Sequence, residues 1–149
     1  MRPILLPIAR SAFSTFFLIL LLTDFIAAQC PSGNVTLTTQ AQVDAFPSNY
    51  PGCTHLPGSL IIGPSTDILN LNSLSNLVEI AGGLSISSND DLTDISGLNG
   101  LSFIGSNISI QFNDSLQSID LANVSSTNMQ YINIGDNPNL ETFHAPKFV

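Results

Sequence analysis

Basic residues are nearly missing from this chain of 149 residues, in which three Lys and Arg stand against eleven Asp and Glu. Two of the three bases, Arg2 and Arg10, fall with Asp24 in an N-terminal segment that reads as a removable leader. The remainder has Lys147 alone against ten carboxylates, a net charge of −9. Such a surface repels phosphate, which excludes nucleic acid and anionic membrane surfaces as electrostatic partners. Histidine is as scarce. His55 lies in the approach to the first repeat and His144 in the tail, so the adjoining nucleophile, base and orienting group of a catalytic centre are missing. Both read as surface residues. Cysteine occurs only as Cys30 and Cys53. With His55 the one soft ligand nearby, a metal site is poorly supported. In an exported chain such a pair forms a disulfide, whose 23-residue spacing implies about 3 kcal/mol of stabilisation. No catalytic residue, cofactor or metal is assigned.

Long apolar runs are also absent after the start. Arg2 and Arg10 precede Phe16-Phe17-Leu18-Ile19-Leu20-Leu21-Leu22, and Ile26-Ala27-Ala28 supplies small residues for cleavage. Asp24 interrupts the stretch before it reaches the roughly 20 residues that span a bilayer. Residues 1–28 are therefore expected to be a signal peptide rather than an anchor. Gln29, where lipid attachment needs a small residue, argues against a lipidated Cys30. Residues 29–149 are the expected domain, secreted or at the cell surface, with no membrane insertion after cleavage.

What is present is a repeat. Leu60, Leu84, Ile108 and Ile132 align at one constant offset, as do Ile62, Ile86, Ile110 and Ile134. Two further columns are Ile68, Leu92, Leu116, Leu140 and Leu71, Ile95, Ile119, Phe143. Between them stand Asn89, Asn113 and Asn137, with Ser65 in the first copy. One fixed period over so many positions marks a solenoid. Leu84-Ser85-Ile86, Ile108-Ser109-Ile110 and Ile132-Asn133-Ile134 alternate apolar and polar, which predicts short strands with aliphatic side chains inward. A turn comes after each strand. Asn suits it because its amide bonds local backbone and it tolerates left-handed dihedrals. Stacked at about 4.8 Å, the three Asn side chains would form an internal ladder.

No long amphipathic helix fits a copy. After Ile95 the apolar residues Leu98, Leu101 and Ile104 come every third residue, broken by Gly97, Gly100 and Gly105. Short strands joined by bends fit better, so the expected fold is mainly β: a right-handed parallel β-helix with rungs of about 24 residues. A leucine-rich repeat is the alternative, but the spacings Ile80 to Leu84 and Asn89 to Leu92 are each one residue longer than its pattern. Val35-Thr36-Leu37, close to one full period before Leu60, reads as a degenerate first rung. Thr39-Gln40-Ala41-Gln42 carries a capping-box pattern, and Val43 with Phe46 sits at helical spacing before Pro47, which is expected to end the turn. A short disulfide-stapled helix here would cover the open N-terminal end.

Cys30-Pro31-Ser32-Gly33-Asn34-Val35-Thr36-Leu37, Tyr50-Pro51-Gly52-Cys53-Thr54 and Leu56-Pro57-Gly58-Ser59-Leu60-Ile61-Ile62 resemble the start of a receptor L domain, the β-helix module of the insulin and epidermal growth factor receptors. Leu84 to Leu92 and Ile134 to Leu140 fit the same pattern. The resemblance runs from Cys30 to Phe143 and implies a right-handed β-helix that meets protein or peptide ligands through one face. Two stretches depart from it. After Leu121 the pattern shifts, with Leu121, Val124 and Met129 taking over from Leu98, Leu101 and Ile104, so a bulge or loop is expected around Asn123 to Gln130. At the end, Phe143 to Val149 holds no second stapled cap. Pro146 and Lys147 then serve as edge protection, or the domain is truncated there.

Three sets of surface residues remain. Asp90, Asp91, Asp114 and Asp136 recur at one turn and would form an acidic column. The glycine-rich nonapeptide of calcium-binding β-rolls is missing, so a solvated turn is the expectation. Asn34, Asn107 and Asn123 head glycosylation sequons of a eukaryotic secretory pathway, whereas Asn113, also in a sequon, is expected to point inward. Ser85, Ser87, Ser109, Gln111 and Asn133 form the outward face of the strands and are the candidate binding face. The function expected is non-enzymatic recognition of a protein, peptide or glycan. A structural component of a cell wall or extracellular matrix is the alternative. A polysaccharide-cleaving β-helix would need basic or metal-binding residues in a groove, which one Lys does not supply.

Overall fold

The computed structural model describes residues 30–126, 129–144 and 146–148. The expected signal peptide lies outside the described residues. The fold is mainly β, built on parallel sheets. One sheet holds β1 (Val35–Leu37), β3 (Leu60–Ile62), β5 (Leu84–Ser87), β7 (Ile108–Gln111) and β10 (Ile132–Gly135), in that order. A second holds β2 (His55–Leu56), β4 (Glu79–Ile80), β6 (Phe103–Ile104), β9 (Ser125–Ser126) and β12 (Lys147–Phe148), and a third pairs β8 (Ser118–Asp120) with β11 (Thr142–His144).

The register follows the columns of the sequence. Leu60 pairs with Leu84, Leu84 with Ile108 and Ile108 with Ile132, each one full period on, and Val35 pairs with Leu60. A slip of one residue would turn every aliphatic side chain outward. As paired, Leu60, Ile62, Ile86, Ile108 and Ile110 are fully buried, with Ile68, Leu92 and Leu116 beside them. Each such side chain stabilises by about 1.5–3 kcal/mol, and together they form one continuous core.

The period of three has its own cause. Where bends were expected, Asn72–Leu74 and Ser96–Leu98 form single 3-10 turns. Such a helix has three residues per turn, so Leu71, Leu74 and Leu77, like Ile95, Leu98 and Leu101, all face the core. Successive turns pack so closely that a Cβ on Gly97 would stand 2.0 Å from the Leu71 carbonyl oxygen. In the third copy this turn is shortened. Leu121 and Val124 are buried in its place, and Ser125 pairs with Phe103 at less than the full period. The full period is restored by Ile132. Of the loop expected around Asn123 to Gln130, residues 127–128 lie outside the described residues.

At the N-terminal end, α1 (Gln40–Asn49) buries Val43 and Phe46 over the first rung. Thr39 caps it, its hydroxyl accepting the Gln42 N–H at 3.2 Å. The Gln42 side chain reaches back to the N–H of Thr38 at 2.7 Å, one residue beyond the usual capping box. Pro47 does not end the helix, which runs on to Asn49 with Pro47 inside it. Pro47 gives up the bond its N–H would have made to the Val43 carbonyl and crowds that carbonyl with its ring, yet the Tyr50 N–H still closes the last turn on Phe46 at 2.9 Å. Gln40 ties the helix to the first repeat, accepting the N–H groups of Leu69 and Asn70. Cys30 and Cys53 are bonded, their Cα atoms 4.9 Å apart.

Candidate functional site

The Asn column forms a ladder. Asn89 and Asn113 are completely buried. The Oδ1 of Asn113 accepts both the N–H and the Nδ2 of Asn89, at 3.1 and 3.0 Å, and the Oδ1 of Asn137 does the same for Asn113. Each Nδ2 also reaches a carbonyl one rung back, Ile62 for Asn89, Ile86 for Asn113 and Ile110 for Asn137. Buried backbone groups at the turns are thereby satisfied. The ladder stops at Ser65, whose N–H goes to the Ser88 carbonyl. The Oδ1 of Asn89 is left buried with no partner.

The left-handed residue of each turn is not the Asn but the one before it: Ser88, Phe112 and Asp136 have φ of 57°, 56° and 52°. The carboxamide is occupied with the ladder, so the bend falls on its neighbour. Phe112 is the costly member, since bulky side chains avoid this region, and its ring is 52 % exposed. In the first copy Gly63 takes the positive φ, 96°, and a Cβ there would meet Ser87 O at 2.1 Å.

The outward face of the first sheet is built by the same register. Thr36, Ile61, Ser85, Ser109 and Asn133 stand in one row, with Ser87, Gln111 and Gly135 in a second. None is charged. Asn133 and Thr36 are exposed, and Ser85, Ser87, Ser109 and Gln111 half-buried. The Ser109 hydroxyl donates to the Gln111 side chain at 3.1 Å. Tyr131, exposed and beside Asn107, borders a shallow depression over Ile61, Ser85 and Ser109.

Tyr131 was not singled out in the sequence, nor was a second ladder at the corner before each strand. There Asn34 Oδ1 accepts the Ser59 N–H at 2.9 Å, Ser59 Oγ accepts the Gly83 N–H at 3.0 Å, and Asn107 Oδ1 accepts the Tyr131 N–H at 3.3 Å. The signal was present, a small polar residue directly before most strand triplets. Of the sequon residues, Asn34 and Asn123 are exposed and Asn107 half-buried.

Among the described residues the titratable groups do not converge. His55 lies 3.7 Å from Glu79 and His144 lies 3.6 Å from Asp120, both pairs largely exposed. Asp90, Asp91, Asp114 and Asp136 are exposed turn residues, and no three His, Cys, Asp or Glu among the described residues are placed to hold a metal ion. Asp94 has its carboxyl held below the usual carboxylate range by the Ser96 hydroxyl and the Ser96 N–H, the latter at 2.8 Å. No helix among the described residues is long and apolar enough to cross a membrane.

A family model described as Receptor L domain matches residues 52–145. No curated protein and no solved structure matches the chain. The match takes in more than half of the chain, including every copy of the Asn column and the whole outward face from Ile61 on, and the chain therefore belongs to the receptor L domain family.

Proposed function

We propose that residues 29–149, released from the signal peptide 1–28, form a secreted or cell-surface recognition module. The parallel sheets close into a right-handed β-helix with rungs of about 24 residues, since crossovers between parallel strands are right-handed. Its ligand is a protein, peptide or glycan, bound without chemistry on Ser85, Ser87, Ser109, Gln111 and Asn133. The observation that carries this reading is the register itself, which sets uncharged hydroxyl and amide groups in flat rows on a rigid sheet. Groups of this kind recognise by shape and hydrogen bonding, not by net charge. Asn34, Asn107 and Asn123 carry glycans where the secretory pathway adds them, and those on Asn34 and Asn107 border the face.

The test is binding of the processed chain to surface proteins, peptides and glycans. Saturable binding is expected, weakened at least about tenfold by Ser109→Arg or Gln111→Arg, with the unfolding midpoint unchanged. A structural role in a wall or matrix has one observation in its favour: Ser109 and Gln111 already bond one another. Absence of any saturable partner, or binding indifferent to both Arg substitutions, would decide for that role.

A further inference from the structure

Gly83 makes room at one corner of the first sheet. In the corner column Asn34, Ser59, Gly83, Asn107 and Tyr131 succeed one another from copy to copy, and only Gly83 brings no side chain. A Cβ there would stand 2.8 Å from the Asn107 carbonyl oxygen, so the packing of neighbouring copies demands the glycine and a gap is left. In the adjoining outward row Ser85 and Ser109 are equally short. The result is a depression of about 390 Å³, within the range of small-molecule sites. Ile61 stands toward one end of it and Tyr131, 53 % exposed, at the other. None of its lining residues is charged. Asn34 and Asn107 commit their Oδ1 atoms to the corner ladder, which leaves each Nδ2 as a donor, and the Ser85 and Ser106 hydroxyls supply donors and acceptors beside them.

We propose that this corner binds an uncharged extracellular polysaccharide, with one pyranose on the Tyr131 ring and the next over Ser85 and Ile61. The proposal rests on the recognition reading above and narrows it to a glycan anchored by an aromatic residue outside the five face residues. Each property of the depression selects against another ligand. An extended peptide finds no strand edge, because β3, β5 and β7 are each paired on both sides, so it cannot add as a strand. An anionic polymer is repelled by the acidic chain around the corner. A cationic ligand meets no carboxylate among the lining residues. A neutral saccharide fits every part. The C–H groups on one face of a pyranose lie against the negative π face of an aromatic ring, and its hydroxyls both donate and accept, as Asn amides and Ser hydroxyls require. From Ser109 to Ile61 is two strand spacings, about 10 Å, room for a disaccharide.

The experiment titrates the processed chain with cellohexaose, laminarihexaose, chitohexaose and mannohexaose, and with hexagalacturonate as the anionic counterpart, following amide shifts residue by residue. The chain is made without N-glycans, since a glycan on Asn107 would itself begin in the depression. Saturable binding of at least one neutral hexasaccharide is expected, with a dissociation constant on the order of a millimolar or below, and with shifts centred on Asn34, Ser85 and Asn107. Tyr131→Ala should weaken it about fivefold or more, whereas Tyr131→Phe, which keeps the ring, should stay within about twofold. Phe112→Ala, at a ring 52 % exposed on another turn, should leave binding unchanged. Failure of all four neutral sugars to saturate overturns the proposal. In that case a protein or peptide whose binding is lost in Gln111→Arg would still uphold the recognition reading, and no saturable ligand of any kind would remove both. Sugar binding indifferent to Tyr131→Ala, weakened alike by Phe112→Ala, or matched by hexagalacturonate also overturns the proposal.

Discussion

The two ends of the molecule carry the same kinds of side chain in opposite circumstances. At the head, Val43 and Phe46 from α1 lie over the first rung and are 0 % and 3 % exposed. At the tail, Ile132, Ile134 and Leu140 occupy columns that are core everywhere below and are half in water. Each parallel strand pairs only with the strands beside it, so the worth of a residue is set by whether something lies on both sides of it. Residue type alone does not decide it.

The sharpest break of this comparison is at the aromatic rings. Phe46→Ala should cost about 4 kcal/mol, as for other buried Phe truncations, and Phe143→Ala under about 1 kcal/mol, both read from urea unfolding midpoints. Equal losses would mean that the last rung is as well packed as the first. Next comes the Asn column. Asn113→Ala strands the Asn89 N–H and takes one donor from the Ile86 and Gln111 carbonyls, the latter still accepting the Ser88 N–H, an expected loss of about 2–3 kcal/mol, against about 1 kcal/mol for the half-exposed Asn137. If the two came out alike, the ladder would not be what holds the turns. Opening the staple with Cys30→Ala and Cys53→Ala should cost about 3 kcal/mol and should raise amide exchange in α1 and β1 far more than in β10. A uniform rise would show that the head cap and the tail rung unfold together.

The smallest effect is one of pH. The Asp94 carboxyl is depressed in the folded chain by Ser96. Its contribution is present above the ordinary Asp range and is lost as pH falls through the lowered value. Asp94→Asn should therefore cost under about 1 kcal/mol at neutral pH, the group being mostly solvated, and nothing at strongly acidic pH. The difference between the two stability curves is the measurement, and a gap that widened on acidification would refute the assignment.

The periodic part of this architecture was legible in the residues. Columns one period apart specify strand, register and inward amide together, because one slip would turn Ile86 and Ile110 outward at once. What could not be read belongs to places where local and stacking demands compete. Ser88, Phe112 and Asp136 take the left-handed bend because the following Asn is committed to the neighbouring rungs, a fact of three dimensions with no local signature. Pro47 looked like a stop but lies inside α1, whose Val43 and Phe46 are held in the core on the same helix, a tertiary contact that outweighs the lost backbone bond. Tyr131 became a border of the outward face through the corner contact with Asn107. For the candidate face itself, alternation along each strand told which residues point out, while nothing in the chain names what they meet.

The shared pairing interval also says how such a molecule can change length. A one-residue insertion inside β5 or β7 would throw every partner above it out of step, whereas copying or excising a full turn, for instance from Leu84 to Asn107, would leave each aliphatic and each carboxamide facing its own kind. Growth by whole pairing intervals is thus nearly free of local distortion, and relatives of different size are to be sought in multiples of that interval.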